Sequence, residues 1–85
     1  MNEQELQVFF EHQINEAAKM TVQVISPQAK GLYNHKYFFV IIHNAHLKEF
    51  KKFVNKIWIK KDRTAEYFKG NLRSCVRMSY DIEGL

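Results

Sequence analysis

One cysteine, one proline and three glycines are all that this 85-residue chain contains of those residues. Cys75 by itself cannot close an internal disulfide, and no second thiol exists to begin a zinc pair, so neither staple common in small domains is at hand. A lone thiol accords with a reducing compartment, and a cytoplasmic location is the expectation. The scarcity of Gly and Pro, beside 46% hydrophobic residues, excludes the composition of a disordered linker. The first eighteen residues hold Glu3, Glu5, Glu11 and Glu16 but no Lys or Arg, the reverse of the basic start of an export signal. The longest apolar run, Tyr37 to Ile42, is six residues, whereas a membrane span needs about 20. A glycine-rich phosphate loop is missing, as is any paired-carboxylate or Ser-His-Asp arrangement, so the chain is not expected to be an enzyme or to carry a cofactor.

What the chain does have is aromatic bulk and helical periodicity. Seven Phe, four Tyr and one Trp give a small core rigid pieces that each bury on the order of 150 to 250 Å². The length leaves room for one hydrophobic core, so residues 1–85 are read as a single domain. Across residues 2–18, Leu6, Phe9, Phe10, Ile14, Ala17 and Ala18 fall on one helical stripe, with Asn2 and Glu5 as a capping pair. Thr21 to Ser26 reads as a β-branched strand ended by Pro27, and residues 28–35, with Gly31 and Asn34, as a loop. Lys36 to His43 is apolar on both faces, the pattern of a central strand. Asn44 is placed to cap a second helix running to about Lys61, whose stripe is Leu47, Phe50, Phe53, Val54, Ile57 and Trp58. A short helical turn is expected at Thr64 to Lys69, stopped by Gly70. From Leu72 to Tyr80 the residues alternate, with Leu72, Val76, Met78 and Tyr80 on one side and Arg73, Cys75, Arg77 and Ser79 on the other. The expected fold is therefore α+β, in the order α-β-β-α-β, with an antiparallel sheet and two helices packed on one face.

Chemistry-bearing residues are few. His43 and His46 are three apart, with Glu49 three further on and His35 at the other end of the same strand. Helical metal pairs sit at i, i+4, so this spacing favours a histidine near the cap and a surface histidine, and no metal site is expected. Cys75 would be a nucleophile only beside a histidine that lowers its pKa. The segment Lys36-Tyr37-Phe38-Phe39-Val40 shares the aromatic character of the sheet strand of RNA-recognition domains, but it lacks their glycines and the element order differs.

Charge is the stronger pattern. All thirteen Lys and Arg lie between residues 19 and 80, where the acids are Glu49, Asp62 and Glu66. On the second helix Lys48, Lys52, Lys56 and Lys60 recur every four residues, with Lys51 beside them and Lys61 at the end. Like charges at that spacing repel, so a helix shaped by stability alone would interleave more Glu. Two explanations stand: a solvated basic face, offset in part by the acidic first helix, or a surface that meets a polyanion. On the second, Lys48, Lys51, Lys52, Lys56, Lys60 and Lys61, joined by Arg73 and Arg77 of the last strand, form the partner-binding set. Because Lys is a point charge, it would contact phosphate in preference to base edges.

The expected function is a small non-enzymatic binding or regulatory protein engaging nucleic acid or a nucleoprotein complex, with a homodimer compatible with its size. The alternative is an inhibitor of the kind phages and mobile elements direct against host defences. It would dock on an acidic or nucleic-acid-guiding protein surface, with Tyr33, Tyr37 or Tyr67 as anchors. The excess of Phe, Tyr, Met, Ile, Asn and Lys over Gly, Ala, Arg and Pro, typical of AT-rich coding, accords with such an origin.

Overall fold

Alternation along the two longest strands defines the core. In the computed structural model, which describes residues 3–24, 37–59 and 63–79, Phe38, Val40 and Ile42 of β2 (Tyr37–His43) are buried, as are Ser74, Val76 and Met78 of β4 (Arg73–Ser79). Those two strands pair antiparallel, Val40 opposite Val76. Among the described residues they form the middle of a four-stranded antiparallel sheet, ordered β1-β2-β4-β3, whose edges are β1 (Gln23–Val24) and β3 (Ala65–Lys69). The central placement expected of this segment is thus observed for Tyr37–His43.

Helix α1 (Glu3–Ala18) and helix α2 (Leu47–Phe53) cover the face that carries Phe38. Phe10 of α1 stacks on Phe38 with ring centroids 4.1 Å apart, and Trp58 meets Phe38 edge-on at 5.8 Å. This places both helical segments on one side of the sheet, the α+β arrangement expected from the sequence. Lys19 adopts a left-handed φ of 57° just beyond α1, which turns the chain toward β1. Among the described residues no helix is long and apolar enough to cross a membrane.

Helix α1 also closes a sheet edge. Gln7, Glu11 and Asn15, spaced four apart and so on one face of the helix, reach the outward backbone of β1 and its lead-in. Val22 N–H donates to Asn15 Oδ1 at 2.8 Å, Val24 N–H donates to Glu11 Oε1 at 2.9 Å, and Gln7 Nε2 donates to Val24 O at 3.2 Å. Backbone groups that an edge strand would leave open are therefore satisfied by side chains.

Three local expectations are corrected. Residues 64–69 form no helical turn: Ala65–Lys69 is strand β3, paired with β4 along its length. Ala65 and Tyr67 face the helices and Glu66 and Phe68 face away, a period-2 pattern that five residues cannot distinguish from a turn until a partner strand is present. Gly70 accordingly ends a strand, and not a helix. Its N–H donates to Arg73 O at 3.1 Å across the β3–β4 hairpin, and a Cβ there would meet the same oxygen at 2.4 Å. Leu72, in that hairpin's turn, is 69% exposed and outside the core.

Asn44 does not cap α2. It sits in a 3-10 turn (Asn44–His46) whose N-cap is His43, with Ala45 N–H donating to His43 Nδ1 at 3.0 Å. Asn44 instead ties the hairpin turn to the start of α2. Its N–H donates to Leu72 O, its Nδ2 donates to Gly70 O and Asn71 O, and its Oδ1 accepts the Ser74 hydroxyl.

The third correction concerns the far end of the second helix. Val54–Trp58 continues α2 as a π-helical turn. Closing i to i+5, a π turn rotates less per residue than the roughly 100° of an α-helix, so each later side chain falls behind its α-helical position. Trp58 thereby stays over the core at 3% exposure, while Ile57 swings outward to 37%. The expected stripe holds through Leu47, Phe50, Phe53 and Val54. The side chain of Leu6, the expected cap residue Asn2, residues 25–36, Lys60, Lys61 and Tyr80 lie outside the described residues.

Candidate polyanion interface

Packing of Leu47, Phe50, Phe53 and Val54 onto the sheet turns the opposite side of α2 to solvent. Lys48, Lys51, Lys52 and Lys56 are all exposed there. Four residues advance an α-helix by about one turn plus 40°, which would carry a lysine every four residues steadily around the axis. The slower rotation of the π turn holds Lys56 closer to the line through Lys48 and Lys52. Glu49 lies 3.5 Å from Lys52, and both side chains remain more than half exposed. Among the described residues neither Lys48 nor Lys56 forms an ion pair.

Lys51 faces a different neighbour. Its Nζ lies 5.0 Å from the ring centroid of Tyr67 on β3, a cation-π contact that directs it toward the β3 side of the molecule. Burial of the Tyr67 ring pushes its phenol up from the ordinary 10.0. Lys60 and Lys61 are not among the described residues.

The two arginines are not part of this surface. Arg77 is opposite Phe39 and Arg73 opposite His43 in the β2–β4 register. Strand alternation thus puts both on the sheet face that the helices leave open. Arg77 is engaged there: it pairs with Glu66 on β3, and its guanidinium lies 4.7 Å over the ring of Tyr37, leaving its buried Nε without a partner among the described residues. The described cations of the expected set are therefore divided by the thickness of the sheet, Lys48, Lys51, Lys52 and Lys56 on the helical side and Arg73 and Arg77 on the other, because residue spacing on a strand and on a helix says nothing of which side each element faces.

The same open face carries Ile41, Cys75 and Phe68 side by side across three strands. Cys75 is half-buried, and burial pushes its thiol up from 9.0, away from thiolate character. His43 and His46 have ring centroids 6.3 Å apart, and the Nδ1 of His43 is occupied by its capping hydrogen bond. Among the described residues no three His, Cys, Asp or Glu come together. Of the expected aromatic anchors, Tyr37 and Tyr67 are half-buried and Tyr33 is outside the described residues.

A groove of about 510 Å³ runs between the C-terminal half of α1 and the π turn, with Ile14, Phe53 and Trp58 in its floor and His12, Glu16 and Arg63 at its rim. The Arg63 guanidinium lies 4.6 Å over the Trp58 ring, and Trp58 Nε1 donates to Ser79 O at 2.9 Å. The sequence offered no sign of this groove, since its walls come from three separate segments. Compared with protein families, with curated proteins and with solved structures, the chain matches none.

Proposed function

We propose that this chain is a binding protein whose α2 lysine face engages a polyanion, with nucleic acid as the partner class. The observation that supports it is the near-alignment of exposed Lys48, Lys52 and Lys56, of which only Lys52 is paired with a carboxylate, that of Glu49, among the described residues. The arrangement is costly in isolation, since like charges four apart repel by a few tenths of a kcal/mol. A phosphate backbone would reverse that sign by releasing its condensed counterions. Lysine ammonium groups on one helix line supply charge without a planar fork, so affinity should depend on salt and little on sequence. Arg73 and Arg77, on the other side of the sheet, have no part in this contact.

Fluorescence anisotropy with labelled single- and double-stranded DNA and RNA tests the reading. Three phosphate contacts give a slope of log K against log salt of about −2.7 on duplex DNA. Replacing both Lys52 and Lys56 with Gln should flatten it by about 2, with the melting temperature unchanged or slightly raised. Absence of salt-dependent binding to every nucleic acid at low salt would overturn the nucleic-acid reading.

A further inference from the structure

The two edges of the sheet are treated differently. At β1, the outward backbone is satisfied by Gln7, Glu11 and Asn15 of α1. At β3, Ser79 N–H donates to Thr64 O at 2.9 Å and Gly70 N–H donates to Arg73 O at 3.1 Å. These contacts fix the phase of the antiparallel ladder. Even-numbered residues of β3 bond to β4, and the N–H and C=O of Ala65, Tyr67 and Lys69 point away from the sheet. Among the described residues nothing accepts from or donates to them.

We propose that this edge is a self-association surface on which a second copy of the chain adds its own β3 antiparallel, with Tyr67 opposite Tyr67 of the partner. Three observations select a second copy. First, the outward groups are symmetric about Tyr67, so a two-fold axis there sets Ala65 opposite Lys69 of the other copy and satisfies every outward group with one register. Second, Phe68 is 51% exposed although it lies within a strand. The two-fold makes the two Phe68 rings diagonal neighbours on one face, within reach of aromatic contact, and each gains cover. Third, the usual deterrent to edge pairing is weakened. Glu66 is drawn into its pair with Arg77, and the centre of the edge is left to Ala65, Tyr67 and Phe68, with Lys69 at its end. The product is one sheet continuous across both copies.

Sedimentation equilibrium and amide hydrogen exchange test this surface. Wild-type protein should show reversible dimerisation between roughly 1 μM and 1 mM. The amides of Ala65, Tyr67 and Lys69 should gain protection as concentration rises, while those of Glu66 and Phe68 are protected throughout. Lys69→Pro removes an outward N–H without touching a β3–β4 bond and should weaken the dimer at least about tenfold, whereas Lys69→Ala, which keeps the N–H, should not. A chain monomeric at all concentrations overturns the proposal. So does a dimer indifferent to Lys69→Pro, or exchange at 65, 67 and 69 that ignores concentration. The exchange measurement needs only wild-type protein, so it decides the matter even if the proline variant misfolds.

Discussion

The carboxylate of Glu11 accepts the backbone N–H of Val24 at 2.9 Å, and through this contact a residue of the first helix closes the edge of the sheet. With Asn15 holding Val22 N–H, two donors of a part-buried edge depend on side chains seven and thirteen residues away in the chain. The acidic first helix therefore has a structural use for at least one of its carboxylates.

Glu11→Ala and Asn15→Ala should each cost about 1 kcal/mol or more, because each strands a backbone donor. Urea titrations supply the measurement, and faster exchange of the Val24 and Val22 amides, respectively, should accompany the loss. Equal stability with unchanged exchange would show that the edge is held some other way.

Phe50→Ala should destabilise by roughly 2 to 5 kcal/mol, the range for large-to-small changes in a packed core, since Phe50 is fully buried. Ile57→Ala, at a position rotated outward by the π turn, should cost less than about 1 kcal/mol. Thermal melts compare the two. Similar losses at both sites would argue for an unbroken α-helix through residue 58.

Asn44→Ala removes the donors to Gly70 O and Asn71 O together with the acceptor of the Ser74 hydroxyl. A loss of about 2 kcal/mol is expected, against about 1 kcal/mol for His43→Ala, which deletes a helix cap. If Asn44 made no tie to the hairpin, its loss would be no greater than that of His43→Ala.

Burial raises the Cys75 thiol above its ordinary 9.0, so the folded state resists ionisation there more than the unfolded chain does. The sign follows from linkage: this contribution to stability is present below the unfolded value and is lost as pH rises through the folded one. Stability should therefore fall on the alkaline side above about pH 9, and Cys75→Ala should lessen the fall. Alkylation by iodoacetamide should reach its half-maximal rate at higher pH in the folded protein than in urea. Coincident pH profiles would refute the burial effect.

The elements that declared themselves in the sequence are those whose partner faces are written in local periodicity. Phe10 and Ile14 on α1 and Phe50 and Phe53 on α2 carry enough consecutive residues for burial to show as a 3.6 repeat, and the run from Tyr37 to Ile42 shows its central place as an unbroken apolar stretch. Lys48, Lys52 and Lys56 were legible as exposed for the same reason. Ala65–Lys69 was not legible as a strand, because five residues of mixed character take their structure from the β4 partner reached through the Gly70 turn. Asn44 shows the same limit: a cap-forming residue beside a helix start, it spends its hydrogen bonds on a turn 26 and 27 residues later. Composition and spacing thus determined the α+β class, the core residues of the long elements and the cationic character of α2. The tertiary structure decided the side of the sheet on which each cation lies, the edge that α1 closes and the edge that β3 leaves open. Those are relations between distant segments, fixed by hydrogen-bond register and packing direction, and periodicity within a single segment carries no information about either.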